Sequence, residues 1–320
     1  MSLASPAPFY PKPWLDYAGQ VALLASRGLI VADPAEAEAF LSHVNYYRFS
    51  GYCLAFEIPR VRHRFAPGIT FEQVRSSYQF DLLLRDLLNE ALEIIEVDLR
   101  AVIAYRFGQT HHAFGHTNPA SFDAAALAST AARRRRPNSD PPHLEWLKKL
   151  RGEAERSKER FVQHFQRAYR EFPDLPIWVL TEVMNFGALS MMFQWMQRTD
   201  KAPVAQRYGV QPNILESWMH HFVYVRNLCA HHCRLWDRNW SVRPMLPPGS
   251  AWHFGLANNQ RLACTLLILY RTLLRCPAIG NFASEWKARV EALIATPPQA
   301  PNALDLMGMI PALTANSLWK

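Results

Sequence analysis

No stretch of this 320-residue chain stays apolar for the roughly 18 residues that a membrane-spanning helix needs. The longest candidate, around Leu262–Leu274, is interrupted by Thr265 and Arg271. The first residues, MSLASPAPFYPKPW, lack the basic start and apolar stretch of a secretory signal, so export is not expected. Cysteine is scarce. There are five, an odd number whose spacing makes no paired framework, which fits a reducing, cytoplasmic location better than a disulfide scaffold. No internal repeat is apparent. What is abundant is apolar and aromatic: 49% hydrophobic residues with 10 Trp give a core-forming chain and exclude a disordered one.

The apolar residues recur at helical spacing almost throughout, so an all-α fold is predicted. Leu15–Leu29 reads as a helix ended by Gly28, and Pro34–Val44 as a second with Asp33 as N-cap. The aromatic run NYYRFSGYCLAFE is expected to pack on these two, and Val61–Phe65, between prolines, has the look of a short strand. Thr70-Phe71-Glu72-Gln73 resembles a capping box that opens a long helix reaching about Phe107. Helices are predicted at Trp178–Gln197, Ile214–Leu235, Asn259–Cys276 and Glu285–Ile294. The expected organisation is a helical N-terminal region (1–69), a main helical domain (70–294) with a basic insertion at about 109–172, and a poorly packed tail (295–320).

The formal net charge is +8, and nearly all of it sits in one segment: Arg133–Arg170 holds twelve Lys/Arg against five acids. Clustering of this kind suits a polyanion, so Arg133, Arg134, Arg135, Arg136, Lys148, Lys149 and Arg151 are the expected RNA contacts. The plainer reading is a solvated helix whose charges pair locally, as Glu155 and Lys158 can.

Chemistry concentrates in Arg226-Asn227-Leu228-Cys229-Ala230-His231. At about 100° per residue, Asn227 and His231 lie within about 40° of each other, and a long Arg226 side chain can swing toward them. If the helix continues, Arg234 and Arg238 fall on the same face, while Val225, Leu228 and Cys229 anchor the other. Imidazole can move protons to and from a ribose 2′-OH or a leaving 5′-oxygen. Guanidinium stabilises the added negative charge on phosphorus, and Asn227 can orient the imidazole or donate to phosphate. A substrate that carries its own nucleophile needs no metal, which points to RNA.

These segments resemble the AbiD/AbiF abortive-infection proteins of bacteria, in the HEPN superfamily of helical ribonucleases. The resemblance is carried by KPWLDYAGQVALLASRGLIV, NYYRFSGY, FEQVRSSYQFDLLLRDLLNEALEIIEVDLR, WVLTEVMNFGALSMMF and SWMHHFVYVRNLCAHHCRLWDR, covering most of residues 12–240. It implies a HEPN-type helical bundle, a homodimer that brings two motifs together, endoribonuclease activity, and a role in phage defence or as a growth-arresting toxin. Arg226 and His231 match the catalytic positions and Asn227 the polar position; Glu182 matches a family position, either to orient Arg226 or His231 or as a buried helix-packing acid. Related toxins carry a Tyr two residues after the His for modification by an antitoxin; Cys233 stands there instead. Similarity of the family to nuclease domains of type VI CRISPR effectors implies a structured non-coding RNA as a partner, and the related toxins imply an antitoxin as another. No membrane partner and no cofactor are expected.

Two other readings stand beside this one: a non-catalytic RNA-binding or sensor protein that uses the HEPN fold for dimerisation, and a metal-dependent hydrolase. The complete Arg–His motif favours the nuclease over the sensor. Cys229, His231 and Cys233 do not share one helix face, so no metal site is expected there. His232, turned about 100° from His231, is expected to pack or touch RNA. His111, His112 and His116 are expected in a surface loop.

Overall fold

Side-chain caps set the helix starts in the first part of the computed structural model, which describes residues 12–133, 140–253, 259–276, 280–310 and 313–320. The chain is all-α. Among the described residues it forms fifteen α-helices and short 3-10 turns, with isolated bridges and no strand. None of these helices is long and apolar enough to cross a membrane.

Helices α1 (Tyr17–Ser26), α2 (Pro34–His43) and α3 (Tyr46–Cys53) each begin on a side-chain oxygen. Asp16 accepts from the Gly19 amide at 2.8 Å, Asp33 from Glu36 at 3.0 Å and Asn45 from Tyr47 at 2.7 Å. Each satisfies a donor that the helix cannot. Gly28 ends α1 at φ 97°, in the left-handed region that costs glycine nothing. The expected strand at Val61–Phe65 does not form. Arg60 and His63 take positive φ (68° and 58°), turning the chain back sharply, and only the single bridge Glu57–Phe65 survives.

The long helix α4 (Phe71–His111) opens on a reciprocal capping box. The Gln73 amide donates to Thr70 Oγ1 at 3.2 Å, and the Thr70 amide donates to Gln73 Oε1 at 2.9 Å. It runs a turn beyond the predicted end, so His111 is helical, not in a loop. His111 Nε2 meets Asp200 Oδ2 at 2.8 Å, and His116 is buried; neither is a surface histidine.

Two compact units are present, one ending at Leu82 and including Pro297–Ala303, the other comprising Leu83–Thr296 and Leu304–Lys320. The division lies inside α4, not at its start. In the first unit the core is aromatic: Phe49 lies 4.8 Å from Phe71, Phe40 meets both edge-on, and the buried Asp81 accepts from Tyr52 at 2.9 Å.

The second unit contains α5 (Ala124–Arg133), α6 (Pro142–Arg156), α7 (Arg160–Ala168), α8 (Ile177–Val183), α9 (Phe186–Trp195), α10 (Arg198–Arg207) and α11 (Pro212–Ala230). The short α12 (Ser250–His253), α13 (Leu262–Leu273) and α14 (Phe282–Ala295) follow, and α15 (Ala303–Leu306) begins at the unit boundary. Trp178–Gln197, predicted as one helix, is two: Asn185 leaves helical geometry and its Oδ1 caps α9 through the Ala188 amide at 2.9 Å. The basic insertion is part of the core. Trp146, Leu147 and Leu150 of α6 are buried, and the Trp146 indole donates to the Ala188 carbonyl at 3.2 Å.

Nearly every residue of α13 is buried, as expected for a helix apolar all round. The C-terminal tail is not poorly packed. Trp319 is 1% exposed, donates to Glu291 Oε1 at 2.9 Å and packs tilted against Tyr270 and edge-on against Trp286. Burying such a side chain contributes about 2 to 3 kcal/mol.

Candidate active site at the end of α11

The helix that carries the Arg–His motif is anchored on its other faces. Val225 and Cys229 are buried, and Leu228 is half-buried. Two turns earlier, His221 is sealed in: Nδ1 donates to the Val242 carbonyl at 2.7 Å, so Nε2 accepts from Thr265 Oγ1 at 2.9 Å. Burial pushes this imidazole down to about 4 and holds it neutral. The Trp218 indole donates to the Met245 carbonyl at 2.8 Å, and Ser217 Oγ accepts from the Met245 amide at 2.8 Å. The returning segment 241–245 is thereby stitched along α11.

The helix stops at Ala230, five residues short of the predicted end at Leu235. His232 takes φ 53°, and two hydrogen bonds close the end: His232 N to Cys229 O at 2.9 Å and Cys233 N to Leu228 O at 2.9 Å. This pair is a Schellman motif, with histidine in the left-handed position that glycine usually fills. Arg234 and Arg238 therefore do not extend the motif face. Arg234 pairs with Asp237 at 2.8 Å, and Arg238 Nε donates to the Arg234 carbonyl at 2.8 Å. Burial raises the Asp237 carboxyl above its ordinary range despite the adjacent guanidinium.

The chain beyond the motif is pinned. Leu235 and Trp236 are fully buried, Arg85 of α4 donates to the Cys233 carbonyl at 3.1 Å, and Arg261 donates to the Asp237 carbonyl at 3.1 Å. On this fixed frame Arg226, Asn227 and His231 are all exposed. His231 is the C-cap residue, its amide bonded to the Asn227 carbonyl at 3.0 Å. Among the described residues, the side chains of these three make no hydrogen bond or ion pair. Three polar groups on a rigid helix end, with their donors and acceptors uncommitted, can meet a phosphate and move a proton. His232 is also exposed, in the turn.

Sequence reasoning missed a groove beside this site. Between α9 and α11 lies a cavity of about 630 Å³, lined by Ser190 and Gln194 on one side and by Glu216, His220 and Val223 on the other. A Cβ at Gly187 would stand 3.3 Å from Asn185 Oδ1, the oxygen that caps α9. Val223, which lines the groove, and Asn227 of the motif share a helix face. The recurrence of Glu216, His220 and Asn227 at steps of four and seven residues, which keeps one helix face, was the available signal.

Among the described residues Glu182 makes no hydrogen bond or ion pair with Arg226 or His231. It is exposed on α8 and lines a separate apolar groove with Ala104, Tyr105, Gly108 and Trp178. Among the expected RNA contacts, Arg134–Arg136 and the Arg133 side chain lie outside the described residues. Lys149 is exposed and Lys148 pairs with Asp140 at 2.5 Å. Arg151 is committed to Asp174 through two hydrogen bonds, at 2.7 and 2.8 Å, and is structural.

No curated protein and no solved structure matches the chain. A family profile does: that of the Abi-like proteins, over residues 39–237, a span that includes α4 through the Arg226–His231 stretch. With well over half of its length matched, this chain belongs to the Abi-like protein family.

Proposed function

We propose that this Abi-like protein is a metal-independent endoribonuclease of the HEPN type, acting in abortive infection against phage or as a growth-arresting toxin. The observation that carries the reading is the exposure of Arg226, Asn227 and His231 together at the pinned end of α11. Family membership supports the defence role.

In this mechanism the ribose 2′-oxygen attacks phosphorus while its proton passes to an imidazole, and the P–O5′ bond breaks as the 5′-oxygen gains a proton. The products are a 2′,3′-cyclic phosphate and a 5′-hydroxyl. Arg226 stabilises the charge that builds on the non-bridging oxygens, and Asn227 donates to phosphate or orients the ring. One chain supplies one well-placed imidazole. A two-fold pair supplies both an acid and a base, so the active form is a homodimer with His231 facing its copy.

Cleavage in EDTA that leaves 2′,3′-cyclic phosphate ends, and that a single 2′-deoxy substitution at the cut site abolishes, is the expected result. Five-prime phosphate ends, or cutting of the deoxy-substituted strand, would mean an activated water and a metal. RNA binding without any cleavage would favour a sensor.

A further inference from the structure

The N-terminal unit leaves a groove of about 1010 Å³ around α1 and α3. Its rim carries rings that folding ordinarily buries: Trp14 and Tyr47 are each 86% exposed, and Tyr17 is 46% exposed. Exposed rings gathered on one opening mark an interaction site, unlike single apolar residues scattered over a surface. Tyr46 lies deeper, with its hydroxyl accepting from Arg27 Nη1 at 2.8 Å, which fixes a guanidinium beside the ring.

Two carboxylates line the groove, each held by a backbone amide. Asp16 accepts from the Gly19 amide at 2.8 Å, and Glu57 accepts from the His63 amide at 3.0 Å. Lys12 and Arg27 balance these two acids in the groove, and Arg60, Arg62 and Arg64, exposed on the sharp turn beside it, give the opening a cationic surplus. Rings ready for stacking, interleaved with cations, are the surface that takes single-stranded nucleic acid: base faces on aromatics, phosphates on Lys and Arg. A duplex keeps its base faces inside the stack and cannot use these rings.

We propose that this groove binds a short run of unpaired RNA, stacking its bases on Trp14 and Tyr47, at a site separate from the cleavage motif. The proposal rests on the RNA-directed reading above. It gives the nuclease a second hold on its RNA and a preference for unpaired over paired strands.

The test uses the full chain with His231→Ala, which keeps RNA intact, and reads anisotropy of a short fluorescein-labelled oligouridylate. Adding Trp14→Ala and Tyr47→Ala together should weaken binding about 30-fold or more, from the loss of two stacking platforms. Replacing both with Phe should keep most of the affinity, and a blunt RNA duplex of equal length should bind more weakly than the single strand. Tyr105→Ala, which removes a ring 75% exposed on α4, should leave binding unchanged. Ultraviolet crosslinks should map to Trp14 or Tyr47. Unchanged affinity in the double alanine variant would overturn the proposal and leave the groove to a polypeptide partner. An equal loss from Tyr105→Ala, duplex binding as tight as single-strand binding, or no binding at all would overturn it too. Because the readout is affinity in a silenced chain, a wild type that fails to cleave would sink the nuclease reading alone.

Discussion

His221 and His231 stand on the same helix and have opposite environments. His221 is fully buried with both ring nitrogens bonded, and desolvation holds it neutral. His231 is exposed at the helix end, and its ring makes no hydrogen bond among the described residues. The difference separates a histidine bound into the fold from one whose ring is left exposed to solvent. Burial with satisfied bonds contributes stability and removes the proton-transfer role; exposure on a pinned frame does the reverse. Histidine in the sequence did not distinguish them.

The largest expected effect tests the buried side of this comparison. The folded values of His221 and His116 are both pushed down to about 4 by burial, against an ordinary 6.5. Above pH 6.5 both rings are neutral whether the chain is folded or not. As pH falls from 6.5 toward 4, the unfolded chain takes up these protons first, so stability is lost through that window. The loss is on the order of 3 kcal/mol from each ring. Urea midpoints at pH 7.0 and pH 5.0 check this, and midpoints that coincide would contradict it. A His221→Gln chain should show a shallower fall.

Next in size, His221→Ala should cost about 3 kcal/mol, because it opens a cavity and strands the Val242 carbonyl and the Thr265 hydroxyl. Denaturant unfolding at pH 7 measures it; a loss under 1 kcal/mol would mean that segment 241–245 is held without this ring. Arg226→Ala should act in the opposite sense, lowering RNA cleavage about 100-fold while the unfolding midpoint stays unchanged. A comparable drop in stability would place the guanidinium in the fold and not at the substrate. The smallest effects come from the basic helix. Arg151→Ala should cost about 1 kcal/mol of stability, limited by solvent screening of its pair with Asp174. Lys149→Ala should leave stability alone and weaken RNA affinity a few-fold, with a flatter salt dependence. Identical behaviour of the two variants would erase the distinction between paired and unpaired cations on α6.

Local signals carried the sequence reading well. Asp33 before Pro34, the Thr70–Gln73 box and Gly28 after α1 each act within a few residues, and their hydrogen bonds are where local chemistry puts them. The misses are non-local or lack the usual residue. The stop of α11 depends on histidine accepting a conformation that normally signals itself with glycine. The break at Asn185 follows from a cap hidden in an apolar run. Arg151 looked like an RNA contact because its partner, Asp174, lies well away in sequence, and the tail looked loose because Trp319 finds Glu291 and Trp286 only in the folded unit. At the site, Arg226, Asn227 and His231 were readable as a spacing. The groove lined by His220 required two helices to be placed side by side.

The most direct measurement compares purified wild-type and His231→Ala chains for RNA cleavage in EDTA, with thermal unfolding followed on the same preparations. The account predicts that His231→Ala loses about 100-fold or more of the activity and unfolds at the wild-type temperature. Wild-type cleavage by a folded His231→Ala chain would contradict it.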